Sequence, residues 1–254
     1  MSKRHRITAA VLAAVLVLSP ASVSTTALAE TTTAATAQAA ADGWKTVKGK
    51  TYYYQAGKKL TGTKKIDGKT YIFSKAGALI KNKKVYKAGK KYYRIDKKGV
   101  AVRFTGVEAM AAKRLCTKKI NKNLKKAFKW SAMNFFSVPK CKSRKESKIA
   151  KYYGKFGFSN GVGDCYVQAY TFYWMAKVLG YDVKVVRGYV EKAGGRKDSH
   201  AWCEIKKKGK VYVYDPNFNK EYSQIVGNPN AGYAIRYGAK KTLKYYSPKK
   251  KLMK

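Results

Sequence analysis

Apolar and polar residues alternate with a different period in each region of the chain. Short clusters of tyrosine, isoleucine and phenylalanine over residues 43–102 are separated by glycine and lysine, which is typical of short β-hairpins. Between Thr105 and Lys129, apolar residues recur every three or four positions, which predicts an amphipathic helix. The mostly polar residues 140–155 indicate a loop or a short helix. The aromatic side chains Trp130, Phe135 and Phe136 are expected in the core.

The second half of the chain predicts one buried helix followed by strands. From Cys165 to Leu179 apolar residues occupy nearly the whole helical circumference, with Asp164 as a candidate N-cap and Gly180 as a stop. Three alternating runs then predict strands over residues 182–190, 199–206 and 210–215, the last two joined by a tight turn. The predicted fold class is therefore α+β.

The first 42 residues have the composition of an exported leader and a spacer. Basic residues precede an apolar run from Ile7 to Leu18, and Ala27-Leu28-Ala29 offers small residues for cleavage, so residues 1–29 are predicted to be a signal peptide. The run is shorter than the roughly 20 residues that span a bilayer, and no membrane span is expected in the mature chain. Residues 30–42, rich in threonine and alanine, are predicted to be a flexible linker. The protein is therefore expected to be secreted.

A unit that begins Gly-Lys and continues into aromatic residues occurs three times in the hairpin region. It starts at Gly49, Gly68 and Gly89, with spacings of 19 and 21 residues. One hairpin cannot bury its aromatic face alone, so such units stack into a solenoid. Residues 43–102 resemble the cell-wall-binding repeats of Gram-positive surface proteins, a family that includes choline-binding and glucan-binding repeats.

The repeat resemblance implies a wall ligand. The Gly-Trp pair that opens a repeat in that family remains only at Gly43-Trp44, whereas a choline cage needs several aromatic faces. The lysine-rich surface instead favours an anionic cell-wall polymer, teichoic acid or glycan. The alternative is a stacked spacer that presents the next domain.

Charge supports the same partner. With 56 Lys and Arg against 13 Asp and Glu, the formal net charge is +43, far beyond what solubility requires. Basic residues mixed with aromatics can also bind single-stranded nucleic acid, but an exported protein meets wall polymer first. Nucleic acid is therefore not the expected partner.

Few side chains can carry chemistry. The chain has two histidines, and since His5 lies in the predicted signal peptide, the mature protein would contain only His200. Four cysteines form no Cys-x-x-Cys pair, so no metal site is expected. An oxidising exterior permits a disulfide, for which Cys116 with Cys141 is one of the possible pairings.

Cys165 combines with His200 and Asp215 in an order that suggests nucleophilic catalysis. In the first turn of a helix, free amide groups and the helix dipole stabilise a thiolate. His200 begins one predicted strand and Asp215 ends its antiparallel partner, so the carboxylate can orient the imidazole while the imidazole activates the thiol. Asp198 and Glu204 are the competing orienters.

The segments Gly163-Asp164-Cys165, His200-Ala201-Trp202 and Tyr214-Asp215-Pro216 resemble the transglutaminase-like superfamily of papain-like thiol enzymes, over residues 104–247. This resemblance implies that the helix of the nucleophile packs on an antiparallel sheet. It also implies that Cys165 is the nucleophile, His200 the general base and acid, and Asp215 the residue that orients His200. Gln168, Trp130 and Tyr153 are all candidates for the second oxyanion donor. Cys203 stands where the family commonly has an aliphatic residue, and it is expected in the core.

Two functions remain open. The first is a secreted thiol enzyme that acts on amide bonds of a peptide or protein, by hydrolysis or by acyl transfer, without a cofactor. The second is a non-catalytic wall-binding scaffold with a transglutaminase-like domain. In both, residues 43–102 form the repeats and residues 103–254 the transglutaminase-like domain.

Overall fold

The computed structural model describes residues 41–191 and 193–254. The predicted signal peptide and residues 30–40 of the predicted linker lie outside this range. Within the described residues, the protein combines five α-helices with thirteen β-strands, and every pair of neighbouring strands is antiparallel. The α+β fold class is confirmed. Among these residues, no helix is both long and apolar enough to cross a membrane.

Short antiparallel hairpins form the N-terminal region, as the repeats predict. Tight turns join their strands; at Asp67-Gly68, for example, both residues have positive φ, 46° and 74°, which matches the right-handed twist of a hairpin. The strands are β1 (Gly43–Val47), β2 (Lys50–Gln55), β3 (Lys58–Lys59), β4 (Gly62–Ile66), β5 (Lys69–Phe73), β6 (Lys83–Ala88), β7 (Lys91–Ile95) and β8 (Ala101–Arg103).

Successive hairpins are joined by buried side chains and by backbone hydrogen bonds. Ile72 of the second repeat packs in one cluster with Tyr93, Ile95 and Ala101 of the third. The amide of Leu79 donates to the Thr51 carbonyl oxygen at 2.8 Å, which links the first repeat to the chain after the second. The aromatic faces are thus buried between neighbours, which is the reason such units stack.

The helices of the described residues all follow β8 in the chain. The helix expected over residues 105–129 is broken, because Asn121 and Lys122 adopt left-handed backbone conformations with φ of 46° and 55°. The Asn123 side chain then accepts a hydrogen bond from the Lys126 amide and caps a new helix. The helices are α1 (Gly106–Leu115), α2 (Leu124–Ser131), α3 (Glu146–Asn160), α4 (Cys165–Val178) and α5 (Pro216–Tyr222).

The expected burial of three aromatic residues before α3 is wrong. Phe135 and Phe136 are 65% and 52% exposed, and Trp130 is half-buried. Phe128 on α2 is fully buried, and in the chain after α2 the core positions are taken by Met133 and Val138. α3 is also longer than the short helix expected there.

The strands in the second half of the chain form one five-stranded sheet. Its order is β12-β11-β10-β9-β13. Ala201, Cys203 and Ile205, on one face of β10, are fully buried in the same cluster as the apolar side chains of α4. The strands are β9 (Val183–Glu191), β10 (Lys197–Lys207), β11 (Lys210–Tyr214), β12 (Tyr233–Ile235) and β13 (Tyr245–Tyr246), with a 3-10 helix at Ala193–Gly195.

The third hairpin shares the main hydrophobic core. Val85 on β6 is 3% exposed and belongs to the cluster formed by α1, α4 and the sheet. Lys84 beside it lies over the ring of Tyr181, 5.3 Å from the ring centre. The described hairpins and the helices therefore belong to one compact unit.

Candidate active site

Helix α4 begins with Cys165. Asp164 is its N-cap, and the carboxylate oxygen Oδ1 accepts a hydrogen bond from the Val167 amide at 3.0 Å. Cys165 is half-buried, and its amide belongs to the first turn, where amides have no partner within the helix. A negative charge at this position is stabilised by these amides and by the helix dipole.

The chain before Cys165 is locked by Gln168 on the next turn of the helix. The side-chain amide of Gln168 donates to the Met133 carbonyl at 3.0 Å and to the Gly163 carbonyl at 3.1 Å. Both of its N–H groups are thereby used, and the side chain is fully buried. Gln168 positions the loop of the nucleophile, and its side chain has no N–H group left to donate to an oxyanion.

His200, near the start of β10, meets Asp215, which follows the end of β11. Strand pairing runs up to Cys203 opposite Tyr214, so Asp215 follows directly on the last pair. His200 Nε2 lies 2.7 Å from Asp215 Oδ2, with side chains that are 6% and 0% exposed. Asp215 also caps α5, because its Oδ1 accepts from the Phe218 amide at 2.9 Å. The carboxylate is therefore held from two sides.

The imidazole carries a proton at neutral pH. Burial by itself lowers the pKa of His200, but the charge and hydrogen bond of Asp215, together with a hydrogen bond and charge from Cys165, raise it to about 10. Since Nε2 faces Asp215, Nδ1 is the ring nitrogen left for the thiol. The structure thus brings the three predicted residues together, with His200 between Cys165 and Asp215.

Neither competing carboxylate reaches the imidazole. Asp198 lies on β10 and pairs with Arg196 at 2.9 Å. Glu204 pairs with Lys184 at 2.9 Å. Asp215 is the carboxylate that faces His200.

Sequence reasoning missed Tyr245. Its hydroxyl donates to Asp215 Oδ2 at 2.9 Å, the same oxygen that faces His200. Burial raises the pKa of Tyr245, and the charge of Asp215 raises it further, so the hydroxyl keeps the proton that it donates. The chain has 21 tyrosines, and nothing in the sequence distinguishes Tyr245 from the others.

Strand β13 brings Tyr245 to the site because β9 has a glycine opposite His200. A Cβ at Gly188 would lie 2.2 Å from the Tyr246 carbonyl oxygen and 2.8 Å from the Trp202 ring. Trp202 packs on Tyr245 with 4.8 Å between ring centres and stacks near His200 at 6.2 Å. The aromatic rings cover the bond between His200 and Asp215 and shield it from water.

The remaining candidates for the oxyanion have other contacts. The Tyr153 hydroxyl accepts from the Cys141 amide at 3.2 Å. Trp130 stacks on Phe158, 6.0 Å between ring centres, and lies under the Arg114 guanidinium. The Cys165 amide is the donor best supported by the geometry.

The four cysteines are free thiols, and the suggested pairing of Cys116 with Cys141 is absent. Cys203 is fully buried, as expected, and its thiol donates to the Ala169 carbonyl at 3.1 Å. Within residues 41–191 and 193–254, no group of three or more His, Cys, Asp or Glu side chains is arranged to hold a metal ion.

An aromatic cluster lies on the first two repeats. The Trp44 ring is 42% exposed and contacts Tyr53 and Tyr71 edge-on, with ring centres 5.0 Å and 4.9 Å apart. Phe73 lies 6.1 Å from it. The neighbours of Trp44 thus come from two repeats, which the single Gly-Trp pair did not reveal.

Comparison with solved structures gives partial matches. The choline-binding domain of Spr1274 from Streptococcus pneumoniae is 28% identical over 25% of this chain and 77% of that one, with a TM-score of 0.24. Choline-binding protein F from the same organism is 31% identical, over 26% of this chain and 22% of its own length, with a TM-score of 0.23. A candidate cysteine protease from Cytophaga hutchinsonii is 16% identical, over 43% of this chain and 36% of that one, with a TM-score of 0.30.

Comparison with family models gives a match to the second half of the chain. No curated protein matches this chain. The model described as the transglutaminase-like superfamily matches residues 112–216, which run from α1 through the start of α5 and include Cys165, His200 and Asp215. Residues 112–216, which hold the three candidate site residues, are therefore similar to the transglutaminase-like superfamily.

Proposed function

We propose that this protein is a secreted, wall-associated thiol enzyme that acts on amide bonds through Cys165, His200 and Asp215. The observation that carries the proposal is the buried 2.7 Å contact between His200 and Asp215, and the charge of Cys165 also raises the pKa of the same imidazole. A raised pKa of His200 favours the ion pair of imidazolium and thiolate, which is the reactive form of such a pair.

The reaction begins with attack of the Cys165 thiolate on the carbonyl carbon of an amide. The amide of Cys165 at the start of α4 stabilises the oxyanion that forms. The His200 imidazolium donates its proton to the leaving nitrogen as the C–N bond breaks, and a thioester to Cys165 remains. Water or a primary amine then attacks the thioester, His200 accepts its proton, and the thiolate leaves. Hydrolysis and acyl transfer differ only in this acceptor.

Asp215 orients His200 rather than taking part in proton transfer. Its Oδ2 holds Nε2, which keeps Nδ1 directed at the thiol, and its negative charge stabilises the imidazolium. Tyr245 and the Phe218 amide fix the carboxylate in turn.

Product analysis tests the enzyme proposal. The mature protein and its Cys165→Ala variant are incubated with wall peptides, surface proteins and a tagged primary amine, and products are identified by mass spectrometry. Amine incorporation that Cys165→Ala loses establishes acyl transfer, and new termini that it loses establish hydrolysis. Cys116→Ala, which removes a thiol outside the site, is the control and should keep the activity. If none of the proteins changes any substrate, the non-catalytic scaffold becomes the better reading.

We further propose that residues 43–102 attach the enzyme, residues 103–254, to an anionic wall polymer. Lysine ammonium groups lie over tyrosine rings of the first repeat, with Lys59 4.5 Å from the Tyr52 ring centre, and the exposed Trp44 contacts Tyr53 of the same repeat. Basic and aromatic surface together suit a polymer with phosphate groups and sugar rings.

Sedimentation with purified walls tests this attachment. The mature chain should pellet with walls and lose this binding when teichoic acid is stripped from them. Trp44→Ala should weaken the binding, whereas Val47→Ala, which removes an exposed side chain of the same hairpin, should not. Binding that survives stripping but needs Trp44 would assign the repeats to glycan. Binding that is indifferent to both changes would leave them as a spacer.

A further inference from the structure

A groove lined by cationic side chains lies against Tyr166, the residue that follows Cys165 in α4. Two adjoining cavities form it and share Lys140, Cys141 and Arg187 on their borders. The first, about 230 Å³, is also bordered by Tyr166 and Ser199, the chain neighbours of Cys165 and His200. The second is bordered by Lys142 and Arg144. Among residues 41–191 and 193–254, no aspartate or glutamate lines either cavity.

One ion pair holds Arg187 in place and leaves the other donors of its guanidinium available. Its Nη2 donates to Glu146 Oε2 at 3.0 Å, while the other carboxylate oxygen of Glu146 accepts from the Tyr170 hydroxyl at 2.6 Å. Tyr170 is fully buried, so the pair is anchored to the core. The other guanidinium N–H groups of Arg187 make no hydrogen bond within the described residues, and a planar fork of donors matches a carboxylate.

The groove lies within electrostatic reach of the reacting thiol. The Tyr166 hydroxyl shares a hydrogen bond of 2.8 Å with Ser199 on the groove wall. Burial raises the pKa of Tyr166; the Cys165 charge raises it further, and the Arg187 charge opposes this. Tyr166, which follows Cys165 in α4, and Arg187 therefore line the same cavity, and the charges of both Cys165 and Arg187 act on the Tyr166 hydroxyl.

We propose that this groove binds carboxylate groups of the substrate, so that the acyl donor is a peptide with a carboxylate beside the amide that is attacked. Arg187 forms the oriented contact, and Lys140 supplies a second positive charge at the shared border of the two cavities. This inference rests on the proposed role of Cys165 as nucleophile. It goes beyond that role by assigning an acidic peptide as the substrate class.

Two alkylating reagents of nearly equal size test the groove in the full mature chain. Iodoacetate and iodoacetamide differ in a carboxylate against an amide, and the rate of each at Cys165 is read by mass spectrometry. The ratio of iodoacetate to iodoacetamide rates should fall about threefold to tenfold in Lys140→Gln/Arg187→Gln relative to the parent protein. The His200 imidazolium also attracts iodoacetate, but it is common to both proteins and cancels in the comparison.

A matched control removes two charges elsewhere. Lys207→Gln/Lys210→Gln changes the turn after β10, seven residues from His200 and roughly 23 Å along the strand. Its rate ratio should equal that of the parent, which separates the groove from the general positive charge. Lys140→Gln alone, which disturbs no ion pair of the described residues, should give an intermediate ratio, and this guards against a folding defect from the Arg187 change.

Protection by peptides completes the test. A blocked tetrapeptide rich in glutamate should slow the alkylation of Cys165 by iodoacetamide, and its glutamine counterpart should not. A rate ratio that is the same in the parent and the groove variants would overturn the proposal, as would protection by polyphosphate without protection by the glutamate peptide. If Cys165 reacts with both reagents no faster than a model thiol, the proposed nucleophile fails instead.

Discussion

At the scale of single residues, Asp215 makes more directed contacts than any other group of the site. It accepts hydrogen bonds from the Phe218 amide and the Tyr245 hydroxyl and faces His200 Nε2. A fully buried carboxylate needs such partners, since an unpaired charge in the interior costs several kcal/mol. The same partners give His200 one orientation.

Removing one of these donors should destabilise the fold. Tyr245→Phe deletes only a hydroxyl that donates to a buried charge, and the free energy of unfolding should fall by about 1.5–3 kcal/mol in urea titrations. Tyr246→Phe is the control, because that hydroxyl bonds Glu191, a carboxylate that is 22% exposed and already paired with Lys244. The control should lose clearly less than Tyr245→Phe, because water screens the interaction that it removes. Equal losses would contradict a special role for Tyr245.

The charge of His200 makes stability depend on pH. The pKa of His200 is raised from 6.5 to about 10, so the folded state binds the proton more tightly than the unfolded chain. This stabilisation is complete below about pH 6.5 and is lost as the pH rises toward 10. The difference in unfolding free energy between the parent and His200→Gln should therefore shrink between these limits. A difference that grows with pH would show that the imidazole is neutral in the folded protein.

At the scale of elements, the contact between β9 and β13 decides whether the site is complete. Gly188 lets β13 approach β9 closely enough for Tyr245 to reach Asp215. The pairing is short, covering Tyr245 opposite Val190 and Tyr246 opposite Tyr189. A two-residue strand has few hydrogen bonds of its own, so its position depends on this close packing.

A double-mutant cycle tests that dependence. Gly188→Ala would place a Cβ 2.2 Å from the Tyr246 carbonyl oxygen. We expect β13 to move outward to remove this clash, and the free energy of unfolding to fall by about 1–3 kcal/mol. Tyr245→Phe should then cost little in the Gly188→Ala background, because its hydrogen bond is already broken. Urea unfolding of the four proteins measures the coupling. Additive costs would mean that Tyr245 keeps its bond when β13 shifts.

At the scale of the whole molecule, the hairpin region and the helices share buried surface. Val85 carries the third hairpin into the core with α1, α4 and the sheet. The arrangement makes the third repeat part of the stability of the candidate active site. It also limits how the repeats can move away from the helices.

This sharing predicts an effect of a hairpin substitution on the entire fold. Val85→Ala should lower the free energy of unfolding by about 2 kcal/mol, measured by fluorescence of the buried tryptophans, because it leaves a cavity in the main core. Val47→Ala, at a valine that is 49% exposed in the first hairpin, should change it by less than about 0.5 kcal/mol. An unchanged transition in Val85→Ala would mean that the third hairpin unfolds independently.

Local patterns in the sequence were enough for the fold class and for most elements of the second half. The continuous apolar run, the Asp164 cap and Gly180 predict α4 to within one residue at its end, and alternation predicts β9 to β11 within two residues. The break between α1 and α2 was not predictable in this way. It depends on left-handed conformations at Asn121 and Lys122, which carry no glycine or proline signal.

By itself the sequence determined the order of thiol, imidazole and carboxylate. It also predicted the helix and strands that carry them, because caps and periodicity act between residues that are close in the chain. Only the tertiary structure decided which groups surround them: Tyr245 on Asp215, Gln168 on the nucleophile loop, and Arg187 in the cationic groove. These contacts join residues that are far apart in sequence or on different elements, and their geometry is fixed by packing. Tyrosine and lysine occur many times in the sequence, and the sequence alone does not indicate which of them packing will bring to the site.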